Sequence, residues 1–287
     1  MPAMTTGEAR LAVACVLACT LVAVPPAAAG TRSKSATLTE NRQTVTLKPK
    51  CPNGQRATGG GFSSDHDGFD TPSPLFFESR KAKQRAWRVS VAQSGDGSMA
   101  VTAYVYCDPD APRTIQRSET TDIPAATGFH EAEAGCGGSG RAQAGGFRYP
   151  AIFAGSATGG PETFFGDIIE SFRSGRKRWR STAVAYGTGT PTLKTYVNCA
   201  DAPSPKARSG DKSLLDNVAT ARSAPCPSDT HVAAGGFSQP DADFLLAYAF
   251  RPTEFRRSGR RWRTEMEHFS AGGTNASTVR STAYCVA

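Results

Sequence analysis

Residues 51–62 read CPNGQRATGGGF, and the pattern returns as CGGSGRAQAGGF at 136–147 and CPSDTHVAAGGF at 226–237. In each copy a cysteine precedes a phenylalanine by eleven positions, and three copies at one spacing make the chain a threefold internal repeat. A Trp-Arg pair follows at 87–88, 179–180 and 262–263. The Phe-to-Trp distance is 25, 32 and 25 residues, so the middle copy carries a local insertion. Each copy closes on a tyrosine-containing strand ending in cysteine: TAYVYC at 102–107, KTYVNC at 194–199 and TAYC at 282–285. The third ending is shorter by two between Tyr and Cys, and because strand side chains alternate with period two, that shift keeps the tyrosine on the same face.

Within the repeat, short alternating apolar runs bounded by turn residues predict strands throughout. TVTLKPKC (44–51) leads through Pro52-Asn53-Gly54 into QRATGGGF, which reads as a hairpin. The glycines before Phe62 then fall on the returning strand, where a missing side chain suits a bulge or a close backbone approach. A phosphate-binding loop would need Gly-x-x-x-x-Gly-Lys-Ser/Thr opening a helix, and a dinucleotide fingerprint Gly-x-Gly-x-x-Gly between strand and helix. Neither spacing is present, and no helical periodicity follows.

The N-terminal run Leu11–Val24 behind Arg10, with small residues at Ala27, Ala28 and Ala29, reads as a secretory leader over residues 1–29. A lipid anchor at Cys19 is the alternative. No second apolar segment follows, so the expected product has no integral membrane segment and is secreted. Six cysteines remain beyond the leader, one pair per repeat, and the repeat selects Cys51–Cys107, Cys136–Cys199 and Cys226–Cys285 from the fifteen conceivable pairings. Chain-entropy bookkeeping puts each such bridge at roughly 4 kcal/mol as an upper figure. A metal site would need Cys-x-x-Cys or Cys/His pairs, and none occurs; no cofactor motif is found either. The formal net charge is +8 at pH 7. For an exported chain that balance directs attention to anionic cell-wall polymer, acidic glycan and extracellular nucleic acid as partners.

A second hairpin in each repeat concentrates aromatic and basic residues: FFESRKAKQRAWRVSVA (76–92), IIESFRSGRKRWRSTAVAY (168–186) and TEFRRSGRRWRTEMEHF (253–269). On the strand after the turn, Trp87, Val89 and Val91 share one face and Arg88 and Ser90 the other. The tryptophans are therefore expected as core anchors, with exposed stacking platforms as the alternative. The flanking cations are read in two ways, as solvated edge protection or as a polyanion-contact surface. The residues assigned to that surface are Arg85, Arg88, Arg176, Lys177, Arg178, Arg180, Arg260, Arg261 and Arg263.

No catalytic signature is found. His66, His130, His231 and His268 fall at four different places in the repeat, and no Gly-x-Ser-x-Gly, His-Glu-x-x-His or Ser-x-x-Lys arrangement of a serine acylase occurs. Glu78, Glu170 and Glu254 do recur, each beside arginines, and are expected to be paired with them. Asn275-Ala-Ser277 matches a glycosylation acceptor.

Cys-Pro-x-Gly, Gly-Gly-Phe, Trp-Arg-Val and Thr-Ala-Tyr-x-x-Cys, complete in the first repeat and partial in the other two, resemble a module of exported bacterial proteins of unknown function, over nearly all of 31–287. The middle repeat departs from it with Cys136-Gly137. In plan, three units with one cysteine pair each, the chain also resembles vitelline membrane outer layer proteins, whose three units form a β-prism; no shared activity is implied. The expected architecture is thus all-β, with three disulfide-clamped antiparallel units at 31–109, 113–201 and 208–287. These are read as tandem sandwiches, with a single pseudo-threefold prism as the alternative. The expected function is a secreted, non-catalytic binding or structural protein, and the alternative is a secreted hydrolase whose site forms between repeats.

Overall fold

The computed structural model describes residues 30–66, 72–123, 128–149, 164–187, 191–214, 218–240, 250–268 and 277–287. The expected leader, Cys19 and Asn275 lie outside them. The described residues contain strands and no helix, so no helix is long and apolar enough to cross a membrane. Each repeat supplies six strands. The first gives β1 (Gly30–Leu38), β2 (Thr44–Leu47), β3 (Arg56–Ser64), β4 (Ser73–Lys83), β5 (Ala86–Ser94) and β6 (Met99–Asp108). The second gives β7 (Ile115–Asp122), β8 (Gly128–Gly135), β9 (Arg141–Arg148), β10 (Phe164–Gly175), β11 (Arg178–Gly187) and β12 (Thr192–Ala200). The third gives β13 (Lys206–Leu214), β14 (Val218–Arg222), β15 (His231–Ser238), β16 (Phe250–Ser258), β17 (Arg261–His268) and β18 (Ser277–Val286).

These strands form three six-stranded antiparallel sheets, ordered β1-β6-β3-β16-β17-β14, β2-β5-β4-β9-β12-β7 and β13-β18-β15-β10-β11-β8. Every sheet takes three strands from one repeat and three from another. The seam is the same each time: the strand carrying Gly-Gly-Phe pairs with the fourth strand of the preceding repeat, and β3 with β16 closes the ring between first and last. Each sheet also packs against the other two. Of the two arrangements open to the sequence, the strands therefore take the single three-sided one. The tandem-sandwich expectation is corrected, because no repeat keeps its six strands in a closed unit of its own. The three disulfides join Cys51 to Cys107, Cys136 to Cys199 and Cys226 to Cys285.

The recurring glycines explain how the sheets come so close. A Cβ at Gly60 would lie 2.2 Å from the Trp87 ring, one at Gly145 2.2 Å from Trp179 and one at Gly235 2.0 Å from Trp262, so each glycine is the seat of its own repeat's indole. The next glycine serves the seam: a Cβ at Gly61 would stand 2.0 Å from the Phe255 carbonyl oxygen, and one at Gly146 2.0 Å from that of Ser79. A side chain at either place would force the backbones apart. Trp87, Trp179 and Trp262 are thus buried anchors, at 2%, 1% and 0% exposure, and cannot act as open stacking platforms. Val89 and Val91 are buried beside Trp87, as their alternation requires. Phe62, Phe147 and Phe237 complete the core, and Phe237 reaches both Phe147 and Phe255 at centroid distances of 6.4 and 5.1 Å.

The closing strands align differently from the tyrosine count. Their registers place Tyr106, Asn198 and Tyr284, each next to its cysteine, at equivalent positions. The Tyr106 hydroxyl accepts a hydrogen bond from the Arg257 amide, and the Tyr284 hydroxyl one from the Arg173 amide, both at 2.7 Å. Burial pushes the Tyr284 phenol up to about 12, so it remains a neutral hydroxyl at neutral pH.

Candidate functional site

The connectivity sends the basic hairpin turns, the cysteine turns and the links between repeats to one end of the molecule. Antiparallel pairing fixes this: each cysteine turn meets the turn of the basic hairpin, through bonds from the Cys51, Cys136 and Cys226 amides to the Arg85, Lys177 and Arg260 carbonyls at 2.7, 2.8 and 2.8 Å. The side chains of those three cations reach back to the same turns. Arg85 donates to the Cys51 carbonyl and Asn53, Lys177 to the Gly138 carbonyl, and Arg260 to the Cys226 carbonyl.

The cation of each Trp-Arg pair is engaged within its sheet. Arg88 meets the buried Glu78 at 2.7 Å, Arg180 meets Glu131 and Glu133, and Arg263 meets Glu254 and Glu265. Arg178, largely exposed, pairs with Glu133 at 2.9 Å. Arg176 and Arg261 stand exposed at their turns. Of the nine sequence-assigned cations, the structure thus gathers six at the turns of one end and sets Arg88, Arg180 and Arg263 along the sheets.

The repeated glutamates divide as well. Glu78 and Glu254 are paired with arginines, as expected. Glu170 is not, because Phe172 stands where the other repeats have Arg80 and Arg256, and Arg180 turns instead to β8. Its carboxylate accepts from Thr182 at 2.8 Å and from the Gln239 amide at 3.3 Å, and burial raises its pKa against the opposing pull of those bonds and of the Arg180 charge.

Two hollows open at the link end. The first is a cavity of about 390 Å³ beneath the two links and the C-terminal Val286 and Ala287. Bulges help to line it: the registers skip one residue in β3, β9 and β15, at Thr58, Gln143 and Ala233, and all three lie in the cavity wall. Asp108 also lies in the wall and meets His231 Nε2 at 2.9 Å across the junction of first and third repeats. That hydrogen bond holds the Asp108 pKa below the ordinary carboxylate range. Among the described residues, His231 makes no bond to a serine, threonine or cysteine.

The second hollow is a recess of about 570 Å³ beside the first, sharing Ser204, Pro205 and Lys206 with it. Its wall carries Arg141, Arg173, Arg176, Lys206 and Arg208, and no carboxylate among the described residues. The Arg173 guanidinium lies over the Tyr284 ring at 4.8 Å, and its Nη1 is buried without a hydrogen-bond partner among the described residues. Burial lowers the Arg173 pKa. Of the recess cations, the sequence singles out Arg176 for binding, and Arg173 lies in the same basic hairpin. Arg141, Lys206 and Arg208 come from the start of β9 and from β13 after a Pro-rich link, and only the fold brings them together. A comparison with protein-family models finds no match for the chain, and no curated protein matches it.

Proposed function

We propose that the chain is an exported, non-catalytic binding or structural protein that contacts anionic polymers through its link end. The observation that carries this reading is the recess of five cations with no carboxylate among the described residues of its wall. Cations that already face a carboxylate have little left for a ligand. Arg88, Arg178, Arg180 and Arg263 are in that position, and the reading therefore moves from them to the recess and to Lys177, Arg260 and Arg261 at the turns of the same end. An anionic cell-wall polymer, an acidic glycan or an extracellular nucleic acid offers the repeated charges such a face would engage. Three disulfides suit an oxidising compartment outside the cytoplasm.

The test is retention of the full chain on immobilised polyphosphate and on heparin over a salt series. Binding is expected to fall steeply with ionic strength as counterions compete, and R176E combined with R208E is expected to weaken it. Retention indifferent to salt would overturn the reading. A hydrolase with a site between repeats is the second reading, supported by the Asp108–His231 contact beside the cavity. It expects hydrolysis of an ester or glycoside panel that disappears in His231→Gln.

A further inference from the structure

The three repeats place one long cation at equivalent positions of their fourth strands: Lys81, Arg173 and Arg257 each stand three residues after the repeated glutamate. Two of the three are satisfied within the fold. Lys81 Nζ donates to the Ala57 carbonyl and to Thr114 Oγ1, both at 2.8 Å. Arg257 donates to the Val232 carbonyl at 3.3 Å and to Thr31 Oγ1 at 2.7 Å. The hydroxyls come from the far edge of the cation's own sheet, Thr31 on β1 and Thr114 just before β7, each contributed by the repeat that follows around the ring. Strand registers against the closing cysteines make Thr31, Gln116 and Ala207 equivalent, and place Pro205 where Thr114 stands. At the middle junction both hydroxyl positions are thus held by residues without a side-chain acceptor. Arg173 has no side-chain hydrogen bond or ion pair among the described residues, although its neighbours fix it: Tyr284 lies under the guanidinium and accepts from its amide. Arg141, Arg176, Lys206 and Arg208 line the recess around it.

We propose that this recess is an oxyanion site for a phosphate monoester group, with Arg173 as its fixed donor and the other four cations as its surrounding counter-charge. A planar guanidinium held in one orientation presents parallel N–H donors that match phosphate oxygens. Four further cations favour a dianion over the single charge of a carboxylate. The assignment rests on the anion-binding reading above and narrows it from a charged face to one ligand group at one junction.

The experiment uses the full-length disulfide-bonded protein and inorganic phosphate as the probe, titrated calorimetrically at low ionic strength, with acetate at equal ionic strength as the comparison. Phosphate is expected to bind about tenfold or more tighter than acetate. Arg173→Met is expected to weaken phosphate by about tenfold or more. Ala207→Thr, which restores the hydroxyl that serves Arg257 from Thr31, is expected to do the same by giving Arg173 an internal acceptor. Lys34→Glu, exposed on the edge strand β1 of another sheet, is expected to leave phosphate affinity unchanged. Should Arg173→Met fail to fold, Ala207→Thr still decides. Equal affinity for acetate and phosphate in the wild type overturns the assignment, as does wild-type phosphate affinity in Ala207→Thr. Wild-type retention on polyphosphate is scored separately. Its absence, with phosphate still bound at the recess, overturns the polymer reading and leaves this assignment standing.

Discussion

The indole of Trp262 lies 4.8 Å, centroid to centroid, from the ring of Phe255, in the place where the other repeats set a serine under the indole nitrogen. Trp87 donates to Ser79 Oγ at 3.0 Å and Trp179 to Ser171 Oγ at 2.9 Å, whereas Trp262 Nε1 is buried without a partner among the described residues. The third repeat has thus exchanged a buried hydrogen bond for aromatic packing against Phe62 and Phe237. Ser171→Ala should therefore cost about 1–3 kcal/mol by orphaning the Trp179 donor. Phe255→Ser should cost about 3 kcal/mol or more, because the hydroxyl it gives Trp262 does not refill the space of the ring. Chemical denaturation of the two variants checks both, and a stabilised Phe255→Ser would show that the hydrogen bond outweighs the packing.

Shared sheets make stability a property of the whole ring. In an isolated first repeat, β3 would lack β16 and β4 would lack β9. Each would leave a row of backbone donors and acceptors, and the tryptophan seat, facing solvent. Residues 31–109 expressed alone are expected to be unfolded by amide chemical-shift dispersion, while the full chain unfolds in one cooperative calorimetric transition. A folded fragment with its own transition would contradict this account of the seams.

Glu170 carries a pH signature. Its folded pKa is raised by burial above the ordinary value of 4.5. Between those two values the native state holds the proton more tightly than the unfolded chain, so this group's contribution is fully present below 4.5 and is lost as pH rises through the folded pKa. Glu170→Gln keeps an acceptor for the Gln239 amide and removes the charge. It is expected to be at least as stable as the wild type at pH 7, with the difference fading below about pH 4. Melting temperatures across pH 3–8 test this, and a loss of stability at pH 7 would show that the buried charge is favourable.

Much of this architecture is legible in the sequence because its causes are local. The Cys-to-Phe spacing exposes the repeat, the alternation about Trp87 predicts its burial, and one cysteine pair per repeat leaves one economical pairing. The exchange of strands between repeats is not legible in the same way. Pairing β9 with β4, or with a strand of its own repeat, would make the same demands on its alternation. The clue was in Gly61 and Gly146, whose missing side chains admit another repeat's backbone, but a glycine does not say which backbone. The site divides along the same line. The hairpin cations stand out as a cluster in sequence, yet four of the nine assigned to binding, Arg88, Arg178, Arg180 and Arg263, face carboxylates that only the strand pairing brings to them. The recess was visible only through what Pro205 and Ala207 lack, a comparison that requires the register between β13 and β18.

Lys81 provides the last test, because it shows what the Arg173 position becomes when its acceptors are present. Lys81 is almost wholly buried, and desolvation, with the nearby Arg56 charge, depresses its pKa from 10.5 to about 8. Between those values the unfolded chain binds more protons than the native state, so this group's contribution is greatest above 10.5 and is lost as pH falls through about 8. Lys81→Met removes the titrating amine, and stability measured from pH 7.5 to 10.5 should rise less steeply with pH in the variant than in the wild type. Thr114→Val, which deletes one of the two acceptors of the charged amine, should depress the pKa further and lower stability at pH 7 by about 1–3 kcal/mol. Ala207→Thr at the middle junction adds a hydroxyl instead of removing one, at the position that Thr31 fills for Arg257. If Thr114→Val proves neutral while Lys81→Met leaves the pH slope intact, the amine draws nothing from its hydroxyl partner, and the contrast between the Lys81 and Arg173 junctions loses its energetic basis.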